Sequence, residues 1–445
     1  MALALPANAI GIVRDAEIED LLRDMTDPIF EAAGLAPEDV ELYLVNDASL
    51  NAFVSGGKNI FIHTGLIIEA ERPMELQGVL AHETGHITGG HLARMSDGAA
   101  RANIPMFIGL AGGLVAALAG APDLGMWIMA GGQHAGQMEF LAFNRTQESA
   151  ADQASLTFTD RAGISPDGLL AFHEKFRHLE VYTYGSGRIP PYWRTHPLSS
   201  HRISTLKRRA EASPHKGKLD DPEIARRFEL MRGKLIGFVN EPYVTMRLFP
   251  VEDTSAKARY ARAIAYFRSV DIDEALAEVD SLIAEEENNP YFRELKGQIL
   301  FESGRVAESI PHHQLAVNLS PEEPLLRVNL AQAMISLADS DDDAENTARA
   351  KEQLEIALAA DDTNSFAYYQ LAIAYAREGN EGLADLATAE RYYYGGDIAG
   401  ATNFAGRARN KLEKGTPAWQ RASDILNVAR NAMSDRKRRG YADAS

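Results

Sequence analysis

Residues 78–86 read GVLAHETGH, and this stretch decides how the whole chain is interpreted. On a helix, His82 and His86 lie one turn apart on one face, where two imidazoles can bind one metal ion. Glu83 then points beside them, toward metal-bound water, whose pKa a zinc ion lowers from ~15.7 to about 7. The stretch predicts a zinc hydrolase with Glu83 as the general base. On this stretch alone, a solvated helix face with two hydrogen-bonded histidines stays an alternative.

The third metal ligand must come from outside this helix. One class of zinc peptidase places a histidine three residues after a glycine turn, but Leu92 follows Gly89 at that spacing and His91 misses it by one. Further along, Glu148 and Asp152 share a helix face at i,i+4. Small residues between them allow close packing on the zinc helix, so Glu148 can bind the metal while Asp152 accepts a hydrogen bond from a ligand histidine. Such acidic pairs more often lie on a surface, but the alanine-rich surroundings favour the ligand role.

A helical repeat begins after residue 254. Small residues recur at corresponding positions, namely Ala275, Ser309, Ala350 and Ala384. Their separations are 34, 41 and 34, and the longer interval contains the acidic insertion 340–343. A 34-residue helix-turn-helix period is typical of tetratricopeptide repeats, whose concave face binds protein. We therefore predict a linker at 237–254 and an all-α tetratricopeptide-repeat solenoid at 255–435, with an ordinary helical bundle as the alternative.

The segment before the linker predicts a mixed domain. Residues 16–33 have the apolar spacing of an amphipathic helix, and residues 41–45 read as a strand. Two or three short strands among several helices give an α+β fold. We predict a zincin-like metalloprotease domain at 10–236, mostly helical with a small sheet.

Composition excludes several classes of protein. The net charge of −18 argues against a nucleic-acid backbone or an anionic lipid surface as a general partner. The absence of cysteine excludes a disulfide scaffold, a cysteine-bound metal and a thiol nucleophile. Residues 1–9 resemble the end of a secretory signal with a small-x-small ending, which indicates either that the signal has been trimmed or that the start of the sequence is misplaced.

One apolar segment, 104–132, has two interpretations. Residues 104–121 are uncharged, and a shorter apolar stretch follows at 124–132. A bilayer crossing needs about 20 apolar residues, so the second stretch is too short for a return span. We predict a helical hairpin that covers the active-site cleft or makes a peripheral membrane contact; a hairpin buried in the protease domain is the alternative.

The motifs match a known family. The chain resembles the gluzincin metallopeptidases, which include HtpX and the CAAX prenyl protease, and in particular their BepA-like periplasmic members. The resemblance covers roughly residues 20 to 210. It rests on Asn51-Ala52-Phe53 with Gly56-Gly57, the strand Asn59 to His63, the zinc helix with the trailing His91, Glu148 with Asp152, and Thr195-His196-Pro197-Leu198 with Arg202.

The resemblance implies a role for each matched residue. One Zn²⁺ per chain would be bound by His82, His86 and Glu148, beside Glu83 as the catalytic base. Asp152, His91 and Arg202 would surround the metal ligands and hold them in orientation. A substrate peptide would add to an edge strand formed by Asn59, Ile60, Phe61 and Ile62.

His196 is implied as a further catalytic residue with two alternative roles. It would polarise the scissile carbonyl, or occupy the open zinc position at rest and block water. A structural loop histidine before Pro197 is a third interpretation, and the nearby His201 is not separated from His196 by sequence.

The function implied by the resemblance is a zinc endopeptidase of the periplasm. Its substrates would be misfolded or stalled outer-membrane proteins, and the repeats would bind these clients or the outer-membrane assembly machinery. The alternative is a chaperone or scaffold for outer-membrane protein assembly whose protease site is dormant and gated by His196. A membrane-embedded relative that cuts within lipid is a second alternative, which the lack of sufficient apolar spans disfavours.

Overall fold

The structure is a computed structural model that describes residues 11–91, 93–94, 122–183, 196, 200–341 and 344–428. The predicted signal remnant at 1–9 and the apolar stretch 104–121 lie outside these residues. The chain divides into two compact units between Val239 and Asn240. Each unit has its own core.

Four short strands form one mixed sheet in the first unit. They are β1 (Ile12–Val13), β2 (Glu41–Val45), β3 (Ala52–Ser55) and β4 (Asn59–His63). Their order across the sheet is β1-β2-β4-β3. β2 and β4 are parallel, with Leu42 opposite Ile60, while β3 runs antiparallel to β4, with Val54 opposite Ile60. Gly56 and Gly57 turn the chain between β3 and β4 at φ values of 64° and 105°, a left-handed conformation that favours glycine.

The sheet order corrects the prediction for residues 59–62. These residues form a strand as expected, but β4 pairs on both sides and is not an edge. The prediction that β4 is an edge was wrong because β2 pairs with one side of β4 and β3 with the other. Among the described strands, β3 is the one that lies at the edge next to β4.

Seven helices of the first unit surround this sheet within the described ranges. They are α1 (Ala16–Ala32), α2 (Thr64–Glu69), α3 (Pro73–Thr88), α4 (Pro122–Arg161), α5 (Asp167–Thr183), α6 (Ser200–Glu211) and α7 (Pro222–Val239). Asp15 caps α1, since its side chain accepts a hydrogen bond from the Ile18 amide. Apolar side chains of α1, the sheet, α3 and α7 share one buried core, which includes Leu22, Ile60, Leu80 and Phe228. The α+β prediction is confirmed.

α3 and α4 approach each other closely at a glycine. A Cβ atom added to Gly85 would lie 2.9 Å from the Ala151 Cα and carbonyl oxygen. The missing side chain therefore lets α4 lie directly against the helix that carries His82 and His86. Residues 124–132, predicted as the second arm of a hairpin, are continuous with the rest of α4. Within the described ranges, no helix is long and apolar enough to cross a bilayer.

The second unit consists of helices in successive pairs. They are α8 (Pro242–Leu248), α9 (Ala256–Arg268), α10 (Ile272–Glu285), α11 (Pro290–Glu302), α12 (Val306–Leu319), α13 (Pro324–Asp341), α14 (Ala344–Ala360), α15 (Ser365–Arg377), α16 (Glu381–Tyr394), α17 (Ile398–Lys411) and helical residues 417–428. The small residues Ala275, Ser309 and Ala350 are fully buried, as close packing within helix pairs requires. The segment predicted as a linker contains α8, because Pro242 at the first helical position favours a helix start there.

Candidate metal centre

Four side chains from three parts of the first unit converge at one point. His82 and His86 come from α3, Glu148 comes from α4, and His196 precedes α6. Each offers one ligand atom, and these four atoms lie within 4.8 Å of one another. All four residues are buried. Sequence spacing predicted that the first three would meet; the resemblance added His196.

Three of these groups have the spacing that a tetrahedral metal ion needs. The His82 Nε2 atom is 3.1 Å from His86 Nε2 and 3.4 Å from Glu148 Oε2. The His86 Nε2 atom is 3.4 Å from Glu148 Oε1. Zinc bonds of roughly 2.0–2.2 Å in tetrahedral geometry separate ligand atoms by about 3.3–3.6 Å. Both distances to Glu148 fall in this range, and the distance between the two histidine nitrogens is slightly shorter. Two imidazole nitrogens and a carboxylate oxygen therefore fit one metal ion of this kind.

The opposite ring nitrogens of both histidines face partners that set their orientation. The His82 Nδ1 atom lies 3.0 Å from Asp152 Oδ1, and the His86 Nδ1 atom lies 2.9 Å from His91 Nδ1. A partner at Nδ1 turns Nε2 toward the centre and fixes the tautomer. The structure thus brings Asp152 and His91 to the positions predicted for them.

Arg202 joins the two carboxylates of α4. Its Nε and Nη2 atoms donate to Asp152 at 2.7 and 2.8 Å, and Nη1 lies 3.1 Å from Glu148 Oε2. All three side chains are almost completely buried. Burial alone would raise the pKa of Asp152, but hydrogen bonds from Arg202 and His82 hold it well below its ordinary range. Burial likewise opposes charging of Glu148, yet His196 and His82 keep the pKa of that carboxyl far below normal.

Glu83 has the environment of a proton acceptor. Its side chain is buried, and burial raises its pKa above the ordinary value although the charges of His196 and His82 and the Val54 amide lower it. Within the described part of the chain, its Oε1 atom accepts no hydrogen bond. A buried carboxylate with a raised pKa and an unsatisfied oxygen suits proton transfer to and from a bound water.

His196 lies inside the cluster, whereas His201 does not. The His196 Nδ1 atom is 3.2 Å from both oxygens of Glu148, and its Nε2 atom is 3.5 Å from Glu83 Oε1. His201 is exposed at the start of α6. The geometry therefore separates two histidines that the sequence left as alternatives.

Sequence reasoning missed two neighbours of the site. Val54 lies on β3, a strand of four residues that is too short to show clear alternation. His173 on α5 is buried, and burial, only partly offset by Asp152, lowers its pKa to about 3. Neither of its ring nitrogens has a hydrogen-bond partner among the described residues. The helix carries two histidines among charged residues, and neither stands at a spacing that signals such a position.

Two histidines one helical turn apart, a carboxylate from a second helix and a buried glutamate between them define a metallopeptidase site. Residues 13–210 match the model of Peptidase family M48, and residues 260–324 match a tetratricopeptide-repeat model. The chain therefore joins an M48 peptidase domain to tetratricopeptide repeats. This confirms the resemblance and the fold predicted from sequence.

Several curated proteins are similar to this chain. The beta-barrel assembly-enhancing protease of Yersinia pestis is 28% identical over 302 residues, which are 66% of this chain and 60% of that protein. The protein of the same name from Escherichia coli strain K12 is 27% identical over 306 residues, with the same shares. The metalloprotease LoiP of Escherichia coli strain K12 is 28% identical over 177 residues, 40% of this chain and 64% of LoiP. The chain thus spans about 60% of the length of the first two relatives.

Proposed function

We propose that this chain is a zinc-dependent endopeptidase. One zinc ion per chain would be bound by His82, His86 and Glu148. The observation that carries this proposal is the spacing of 3.1–3.4 Å between their ligand atoms. Imidazole nitrogens with one carboxylate form the donor set of catalytic zinc sites, which leave one position open.

The protein groups divide the chemistry between them. Zinc, when bound, supplies a Lewis acid and makes water acidic enough to ionise near neutral pH. Glu83 would accept the proton of the attacking water and return it to the leaving amine. Asp152 and His91 hold the two imidazoles with Nε2 toward the centre, and Arg202 holds the pKa of Asp152 low while its guanidinium also contacts Glu148.

We propose β3, rather than β4, as the strand to which a substrate peptide adds. The His63 amide donates to the Asn51 carbonyl at 3.0 Å, so the backbone groups of Ala52 and Val54 point away from β4 in an antiparallel ladder. The Val54 amide reaches the Glu83 carboxylate. A peptide paired along this edge would pass beside the general base, bound mainly through its backbone.

The substrates and location are proposed from the relatives. Two of them are named beta-barrel assembly-enhancing proteases. By this similarity, the clients would be misfolded or stalled outer-membrane proteins, and the compartment would be the periplasm. The tetratricopeptide repeats would bind clients or the outer-membrane assembly machinery, since helical-repeat arrays provide extended protein-binding surfaces.

Cleavage of unfolded casein tests the catalytic part of the proposal. We expect the zinc-loaded chain to cleave casein, a chelator to stop cleavage, and added zinc to restore it. Glu83→Gln should retain zinc but lose at least about 10³-fold in rate, while the matched change of an exposed residue, Glu38→Gln, should have no effect. Cleavage by Glu83→Gln at the rate of the unchanged chain would disprove the assigned role.

A second candidate function is a chaperone whose protease site is gated by His196. Its position within 3.2 Å of Glu148 favours this alternative. If His196 blocks the open metal position, His196→Ala should raise casein cleavage; if His196 polarises the scissile carbonyl, the same change should lower it. A pure chaperone would suppress client aggregation without cleaving in either form.

A further inference from the structure

A row of aromatic rings and guanidinium groups crosses three helices of the second unit. We call this set the aromatic–arginine row; it consists of Phe366 and Tyr369 on α15, Arg391 and Tyr392 on α16, and Phe404 and Arg407 on α17. Each member contacts the next. Distances are measured between ring centroids, or from the arginine Cζ atom to a ring centroid. In order they are 6.1 Å for Phe366–Tyr369, 4.3 Å for Tyr369–Arg391, 5.6 Å for Arg391–Tyr392, 5.5 Å for Tyr392–Phe404 and 4.8 Å for Phe404–Arg407.

The first two rings of the row face solvent. Phe366 and Tyr369 are 40% and 38% exposed. α15 packs into the repeat through its other face, where Ala367, Leu371 and Ala374 are buried. The exposed rings are therefore not needed to bury this helix, and neighbouring exposed rings form a contiguous apolar patch of the kind found at protein-interaction sites.

Arg391 gives the row its charge preference. It is half-buried, and within the described part of the chain no carboxylate lies within ion-pair distance of it. Arg407, the other guanidinium of the row, is paired with Asp385 at 2.8 Å. The planar face of Arg391 covers Tyr369, which leaves the N–H groups at its edge for a carboxylate.

We infer that the aromatic–arginine row is a docking surface for an extended polypeptide segment that carries aromatic side chains and a carboxylate. An extended peptide presents the side chains of one face about 6.6 Å apart, a spacing comparable with the distances between successive members of the aromatic–arginine row. Aromatic rings would stack on the exposed rings, and the carboxylate would pair with Arg391. This inference deepens the client-binding role proposed for the repeats and does not depend on zinc.

Nucleic-acid bases also stack on rings and guanidiniums. The net charge of −18 disfavours a phosphate backbone, so we commit to a peptide. The probe is a fluorescent twelve-residue peptide of alternating phenylalanine and aspartate with terminal serines. Its binding is measured by fluorescence anisotropy on the full chain carrying Glu83→Gln, so that cleavage cannot consume it.

Charge reversal at one arginine makes the sharpest test. Arg391→Glu should weaken binding of the aspartate peptide at least tenfold and favour a matched lysine peptide. Arg349→Glu makes the same charge change at an exposed position on α14, outside the row, and should change binding less than twofold. Tyr369→Ser and Phe366→Ser should each weaken binding of both peptides, because both peptides need the rings.

Four results would overturn the inference. The first is equal weakening of aspartate-peptide binding by Arg391→Glu and Arg349→Glu. The second is unchanged peptide binding in both ring variants when their thermal melting is also unchanged. The third is absence of peptide binding to the full chain, and the fourth is tighter binding of a single-stranded oligonucleotide than of the peptide. Peptide binding as expected, together with no casein cleavage by the zinc-loaded chain that retains Glu83, would contradict the proposed function alone.

Discussion

Arg202 allows the electrostatic account of the site to be tested in depth. Its guanidinium bridges Asp152 and Glu148, and all three side chains are at most 3% exposed. Arg202→Gln would leave two buried carboxylates without their cation. Removing one partner of a buried ion pair costs about 3–5 kcal/mol, so we expect the free energy of unfolding of the metal-free chain to fall by that amount.

The same change should weaken metal binding. Asp152 orients His82 and Glu148 is a proposed ligand, so loss of the group that holds both should reduce zinc affinity about 10- to 100-fold. Urea unfolding in chelator gives the stability of the first unit, and competition with a chromogenic chelator gives the zinc affinity. Arg202→Lys keeps the charge but not the two-pronged hydrogen bonding, so its losses should be intermediate.

A second arginine provides the control. Arg227 on α7 also contacts two carboxylates, Asp20 and Asp24 of α1, but these are 44% and 50% exposed. Arg227→Gln should cost less than about 1 kcal/mol and leave zinc affinity unchanged. Asp152→Asn should partly rescue Arg202→Gln, because it removes one of the uncompensated charges. A change below about 1 kcal/mol for Arg202→Gln, with normal zinc affinity, would refute this reasoning.

Three further predictions concern packing, pH and backbone conformation. The side chain added in Gly85→Ala would meet Ala151, so this change should push α4 away from α3 and weaken zinc binding at least about tenfold. The Cβ added in Gly406→Ala meets nothing within 4 Å, so this control should leave zinc affinity unchanged. Equal zinc affinity in the two variants would contradict the prediction. Burial and the charge of His312 lower the pKa of His313 to about 4 from 6.5, so the stability tied to neutral His313 should be complete above pH 6.5. The free energy of unfolding should fall by about 3 kcal/mol as the pH drops to 4, measured by urea titration. The variant His313→Gln should show no such fall. Val270 is 78% exposed with φ of 66°, so Val270→Asn should stabilise the second unit by about 1 kcal/mol in thermal melts; a lower melting temperature would count against backbone strain there.

Sequence predicted the parts of the fold that depend on local periodicity. The helix over residues 16–33 and the strand at 41–45 are present as α1 and β2, because apolar spacing records which face an element buries. The repeat period gave the tetratricopeptide helices for the same reason. Strand order depends on pairing between distant segments, and alternation in 59–62 is the same for an edge as for an internal strand.

In the site, too, residues on one helix could be predicted from their spacing, whereas contacts between distant segments could not. His82 and His86 are fixed by spacing on one helix, and Glu148 and Asp152 by spacing on another. The approach of Arg202 to both carboxylates joins residues separated by 50 or more positions in the chain, and no spacing rule records such a contact. The resemblance named Arg202, but only the structure gives its geometry.

The position of zinc in the loaded protein tests the central claim most directly. Anomalous diffraction at the zinc edge would locate the ion and its ligands. We predict one zinc per chain, bonded at about 2.0–2.2 Å to the Nε2 atoms of His82 and His86 and to a carboxylate oxygen of Glu148. A zinc ion bound elsewhere, or a centre without Glu148 among its ligands, would contradict the account.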